Sequence, residues 1–257
     1  MDLRLKDKHV LITGGGRGIG LACVERFLEE GCRVTVAVKT HETADAVKAK
    51  HDVGVCVIDL ARPGAGVSMT DSIEKQYGDI DVLVNSAGSA LKVAPDAVGD
   101  ENWRQAMDNK FFTYMHTLDG VLPKMMKRGR GSVVNIVGFG GRQAVSSHLP
   151  GGSANAALML ASAGLATHYA KHGIRINTVN PVAVMTDRLQ QSLEVEAEMA
   201  GITVEEARQR VISKYPMGRI MRPDEVADVV VFLSSDRASY VSGVSLTIDG
   251  AATPMIP

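Results

Sequence analysis

Thr13-Gly14-Gly15-Gly16-Arg17-Gly18-Ile19-Gly20 is the stretch on which the reading of this 257-residue chain turns. It follows an apolar run, His9–Thr13, and leads into a segment with helical spacing, Ile19–Glu30. Glycines at a strand-to-helix turn let the backbone approach a pyrophosphate. The helix N-terminus beyond them offers N–H groups and the positive end of the helix dipole. Glycines also make ordinary tight turns, so the rest of the chain has to agree.

Further apolar runs lie at Arg33–Val38, Val53–Ile58, Asp81–Val84, Ser132–Val137, Arg175–Val179 and Val244–Ile248. Between them lie stretches with helical spacing, such as Ser68–Tyr77, Trp103–Lys127, Ala154–His172 and Asp224–Leu233. Continuous buried strands joined by helical crossovers predict a parallel sheet with helices on both faces. Gly14–Gly16, Asp59, Asn85 and Gly138 punctuate the strand ends, where an open α/β sheet binds its ligand. No repeat or low-complexity linker divides the chain, so one domain over 1–257 is expected. Thr186 to Pro216 breaks the rhythm, being helix-prone and rich in Glu, Gln and Met. Its place after the sixth strand predicts a lid-like helical excursion at about 186–216; the plainer reading is a surface excursion packed on a neighbouring subunit.

The net charge is -1 and 45% of the residues are hydrophobic. No long block of like charges occurs, which argues against binding nucleic acid or a membrane surface. Cys23, Cys32 and Cys56 lack metal-ligand spacing and read as buried reduced thiols, so no metal is expected. With no signal peptide and no spanning run, the expected compartment is the cytoplasm.

The glycine spacing, Thr-Gly, three residues, Gly, one residue, Gly, resembles the short-chain dehydrogenase/reductase family. So do Asn85-Ser86-Ala87-Gly88 after the fourth strand, Asp59-Leu60 after the third, Asn180-Pro181 after the sixth, and Val241-Ser242-Gly243 with Ile248-Asp249-Gly250 at the end. The resemblance implies a Rossmann-like doubly wound α/β fold with a parallel seven-stranded sheet in the order 3-2-1-4-5-6-7. It also implies cofactor contacts from Gly14, Gly16, Arg17, Ile19, Lys39, Thr40, Asp59, Leu60, Asn85, Ala87, Gly88, Asn155, Pro181 and Thr186. At the end of the second strand, Val38 is followed by Lys39 and Thr40 where an acidic residue would select NAD(H). Arg17 and Lys39 could neutralise a 2′-phosphate, so NADP(H) is favoured over NAD(H). The family commonly forms homo-oligomers, and a tetramer or dimer is expected through the helices at 103–127 and 154–172 and the last strand.

The family's proton-transfer machinery is an Asn, a Ser, a Tyr thirteen residues after it, and a Lys four residues later. Asn109 matches the Asn. The strand ending Asn135-Ile136-Val137-Gly138 puts Gly138 at the Ser, and Ser153-Ala154-Asn155-Ala156-Ala157-Leu158 puts Asn155 at the Lys and Gly151 at the Tyr. No tyrosine lies between Tyr114 and Tyr169, and no lysine between Lys127 and Lys171, so no shift of register recovers the pair. His148 is the substitute acid–base candidate, Ser146 or Ser147 could orient a substrate oxygen, and Arg142 could receive an acidic substrate. Gly151-Gly152, between Pro150 and Ser153, reads as a turn leading to an N-cap. Three functions remain open: an NADP(H)-dependent oxidoreductase with a degenerate tetrad acting on an unknown small molecule, a non-catalytic NADP(H)-binding protein, and a non-redox enzyme in the same pocket. The first is preferred because the glycine loop, Asp59 and Asn109 all remain.

Overall fold

The computed structural model describes residues 1–88 and 92–254. Seven parallel strands form one sheet in the order β3-β2-β1-β4-β5-β6-β7. They are β1 (His9–Thr13), β2 (Arg33–Val38), β3 (Gly54–Val57), β4 (Val82–Asn85), β5 (Gly131–Ile136), β6 (Ile174–Pro181) and β7 (Ser245–Ile248). The doubly wound order expected from the sequence is the one observed. Alternate residues of a strand face opposite sides of a sheet. Accordingly Val10 and Ile12 of β1 join one core with Val34, Val36, Val84 and Val134, while Leu11 joins the other with Leu83, Val133 and Ile176.

The first core is covered by α1 (Gly18–Glu29) and α9 (Pro223–Ser234), the second by α3 (Ala65–Tyr77) and α5 (Thr113–Arg128). A short α2 (His41–Lys48), polar and only two turns long, gave no periodic signal; the Thr40 hydroxyl caps it by accepting from the Thr43 N–H. The long stretch expected at 103–127 is three pieces. α4 (Asp100–Ala106) and α5 are joined by a π-helical turn, Met107–Phe112, which contains Asn109. The turn expected at Gly151-Gly152 is instead helix. α6 runs Leu149–Tyr169 with Pro150 in its first turn, where proline's missing N–H costs nothing.

The excursion after β6 is two helices, α7 (Asp187–Ala200) and α8 (Val204–Ile212), joined through Gly201 in the left-handed conformation. Leu193, Ala197 and Ala207 form a small core of their own between them. The Thr186 and Thr203 hydroxyls cap their N-termini. No helix among the described residues is long and apolar enough to cross a membrane.

Candidate active site

The strand ends β1, β4, β5 and β6 open onto one side of the sheet, where the glycine loop meets them. Gly14 has φ +70°, and a Cβ there would lie 2.8 Å from the Ala87 backbone, so the loop after β1 and the loop after β4 touch main chain to main chain. The Thr13 hydroxyl accepts from the Ser86 and Ala87 N–H groups, at 3.1 and 3.2 Å. The next helix, α1, begins without any side-chain cap and without an acidic residue in its first turn. Its opening N–H groups, from Gly18 to Gly20, have no acceptor within the helix. That cradle fits a pyrophosphate, and exposed Arg17 stands at its mouth. Thr186 closes over it, its Cγ2 lying 3.3 Å from where a Cβ on Gly18 would sit.

Residues at three of the expected contacts have partners within the protein. The Asn85 side chain is fully buried and spans the sheet: its amide donates to Asn135 Oδ1 at 3.0 Å and its own Oδ1 accepts from Thr13 at 3.3 Å. Asn135 in turn donates to the Ser162 hydroxyl at 2.9 Å. Asn85 therefore ties strands together, with one of its two amide N–H groups and its Oδ1 engaged inside the sheet. Leu60 is likewise core, 5% exposed, and its carbonyl contacts His116 Nδ1 at 2.9 Å. The third concerns the 2′-phosphate. Lys39 Nζ lies 3.0 Å from Asp59 Oδ2, so the carboxylate missing from the end of β2 is supplied from the end of β3. Lys39 holds the Asp59 carboxyl below its ordinary range, and the pair is nearly neutral toward an anion. Asp59→Asn is expected to release Lys39 and raise the NADPH-over-NADH affinity ratio about three- to five-fold, the weight of an exposed ion pair. An unchanged ratio in calorimetric titrations would place the 2′-phosphate elsewhere.

At the other end of the cleft, Gly138 (φ +122°) follows β5, and buried Asn155 faces it from α6, whose first turn holds buried Gly151. A Cβ on Gly138 would sit 3.2 Å from Asn155 Nδ2, and one on Gly140 would meet His148 Cδ2 at 3.1 Å. His148 is therefore next to the vacated positions, half-buried at the start of α6, with Nδ1 buried and unpartnered among the described residues. Burial lowers its pKa, and Arg188, Lys92 and Lys110 lower it further. The imidazole is thus neutral at neutral pH and suited to accept a proton rather than donate one. Ser146 is exposed in the turn before it. Arg142 does not reach the cleft: its guanidinium donates to the Thr247 hydroxyl on β7 at 2.9 Å.

Half-buried Asn109 lies on the widened π-helical turn, a distortion frequent at functional sites. Sequence reasoning missed its neighbours. Lys110 is 8% exposed and donates to the Tyr114 hydroxyl at 2.9 Å and the Ile136 carbonyl at 3.0 Å. Tyr114, fully buried, donates to the same carbonyl at 2.6 Å. The i, i+4 spacing of a Lys and a Tyr directly after Asn109 was the available signal. Arg188, in the first turn of α7, adds a further cation. It is an exposed residue overall, yet partial burial of its guanidinium, then Arg17, lowers its pKa.

The family profile described as Enoyl-(Acyl carrier protein) reductase matches residues 14–253. The chain belongs to the short-chain dehydrogenase/reductase family. It is 31% identical to an uncharacterized oxidoreductase, YvrD, of Bacillus subtilis (strain 168), over 97% of this chain and 98% of that one. It is 30% identical to the 3-oxoacyl-[acyl-carrier-protein] reductase FabG of Thermotoga maritima, over 96% and 98%. Among solved structures, L-sorbose reductase from Gluconobacter frateurii, complexed with NADPH and L-sorbose, superposes with a TM-score of 0.89 at 30% identity, covering 97% of this chain and 98% of that one. This short-chain dehydrogenase/reductase thus shares its whole domain with oxidoreductases.

Proposed function

We propose that the protein is an NADP(H)-dependent oxidoreductase that interconverts a carbonyl and an alcohol, with a proton-transfer group other than the family's Tyr. The carrying observation is the uncapped, glycine-lined N-terminus of α1, free of acidic residues and flanked by Arg17. Gly14, Gly16, Arg17 and Ile19 would hold the pyrophosphate, Lys39, Thr40 and Asp59 the adenosine ribose, Gly88, Asn155, Pro181 and Thr186 the nicotinamide ribose and carboxamide. The bound nicotinamide supplies or takes up hydride; the chain binds, orients and moves the proton. The 186–216 hairpin is the lid, its base already docked on Gly18 through Thr186. The apolar outer side of α6, where Leu160 is 78% exposed, suits a second copy of the chain, giving a homo-oligomer, and we place the protein in the cytoplasm.

Calorimetric titration with NADPH and then NADH is the direct test. Tight NADPH binding, stronger than that of NADH, is expected from Arg17, with Lys39 held by Asp59; no binding of either would overturn the proposal. A second reading, a non-catalytic NADP(H)-binding protein, draws on Gly138, Gly151 and Asn155 at the positions of Ser, Tyr and Lys. Its signature is tight NADPH binding without oxidation of the nucleotide by any carbonyl compound.

A further inference from the structure

Lys110 is out of place for a structural residue. Its amine is almost wholly buried, and among the described residues the charged group that shifts it is a cation, Arg188, with no carboxylate contributing. Arg188 approaches from α7, His148 from the start of α6, and Lys92 acts on His148 from the segment before α4. From its own helix it meets Tyr114, whose ring centroid lies 4.6 Å from Nζ. From the sheet it meets the Ile136 carbonyl. A methionine would fill the same space with no charge to desolvate.

Its position is equally specific. The side chain runs beside the loop after β4, its Cδ 3.2 Å from where a Cβ on Gly88 would lie. It ends at the last residue of β5, two residues before Gly138. Asn155, at the place of the family's Lys, carries no charge. Lys110 thus brings an amine from the α5 side to a region that lost its lysine on the α6 side.

We propose that Lys110 is the acid–base group of this site, with Tyr114 and the Ile136 carbonyl as the positioning partners that hold its amine. This rests on the oxidoreductase reading above. In the reducing direction a bound nicotinamide would supply hydride to the substrate's carbonyl carbon. The π pair of the C=O bond becomes a lone pair on oxygen, and that oxygen takes a proton from the Lys110 ammonium. The N–H bond electrons stay on Nζ, and the neutral amine regains its proton from solvent. Oxidation of the alcohol runs the same steps backward. Burial, then Arg188, pushes the Lys110 ammonium down to about 7, which matches a group that must both give and take a proton near neutrality. Tyr114 is unsuited to the role, since burial raises its hydroxyl well above the ordinary range.

Selective isotopic labelling of the lysine side chains and an NMR pH titration of the full chain test this directly, with Lys110→Met assigning the signal. One lysine is expected to titrate near pH 7 and to vanish in the variant. Thermal melting supplies a second readout. The unfolded chain keeps the lysine proton up to about pH 10.5 while the native state releases it near 7, so the cost of the charge is full below 7 and fades toward 10.5. Lys110→Met should therefore melt higher than the parent at pH 6, with the gap closing by pH 10. A lysine holding the fold together would show the opposite sign. With NADPH and 2,3-butanedione as the carbonyl probe, turnover should fall as pH rises through 7. Lys110→Met should lose about tenfold or more of it and its pH dependence while still binding NADPH. A Lys110 that titrates above pH 9, a variant with the parent's rate and profile, or a parent that binds NADPH but does not turn the probe over, each overturns the proposal. Absence of NADPH binding overturns the oxidoreductase reading instead, and the NMR midpoint is read independently of it.

Discussion

Gly66→Val is expected to lower stability by at least about 4 kcal/mol and to leave little folded protein at 37 °C. α3 and α5 cross where Gly66 and Gly120 face each other. A Cβ on Gly66 would fall against the His116 carbonyl, and one on Gly120 would lie 2.6 Å from Thr70 Oγ1 and 2.7 Å from the Gly66 carbonyl carbon. Thr70 already donates to the Gly66 carbonyl at 2.7 Å, so neither helix has slack there. A branched side chain must push the helices apart, opening the core of Met69, Ile73, Leu118 and Val121 that they share. Overpacking alone costs typically 1–3 kcal/mol, and the exposed core adds to it. The damage reaches the cleft, because His116 on α5 also contacts the Leu60 carbonyl beside Asp59. Urea unfolding followed by circular dichroism measures the effect. A Gly66→Val protein as stable as the parent would refute the backbone-contact account.

The sheet was legible because each of its strands announces itself. His9–Thr13 and Arg33–Val38 are runs whose residues are nearly all buried, and a run buried on both faces needs no partner information to be read. The helix at 103–127 was legible as helix but not as an interrupted one. A π turn inserts without any proline or glycine at Met107–Phe112, so no residue type marks it. The cofactor loop was legible because its function is carried by backbone, and glycine reports backbone directly. The chemical end was only half legible. The resemblance puts Gly138, Gly151 and Asn155 where Ser, Tyr and Lys are expected, but which side chains are buried beside them is not written in the sequence. Lys110 reads as an ordinary helix cation until β5 and Gly88 enclose it. Lys39 reads as a phosphate ligand until β3 brings Asp59 to 3.0 Å. Asn85 sits in a family signature, yet its amide is taken by Asn135, fifty residues away in sequence.

Putting the family's residues back is therefore expected to fail. The triple variant Gly138→Ser, Gly151→Tyr, Asn155→Lys should lose about 3–5 kcal/mol of stability without acquiring the family's rate. Gly138 has φ 122° and ψ 145°, a combination that residues with a Cβ reach only at a cost of about 1–3 kcal/mol. The serine Cβ would also lie 3.2 Å from Asn155 Nδ2, in space that the longer lysine would have to cross. Asn155 is 6% exposed, and a Cβ on Gly141 would lie 2.9 Å from its own, so the new lysine starts in a packed position. Its ammonium would then join Lys110, Arg188 and His148, where Arg188 already lowers the pKa values of the other two. A second buried cation there is repelled and desolvated at once. Thermal melting of the single, double and triple variants separates these costs, and NADPH-dependent turnover of 2,3-butanedione reads the chemistry. Full activity and stability in the triple variant would mean that the cleft still has the family's shape and that Lys110 took over nothing. If instead only Lys110→Met combined with Asn155→Lys recovers both stability and turnover, the two lysines are alternatives for one site, and the charge sits on the π-helical turn before α5 in place of α6.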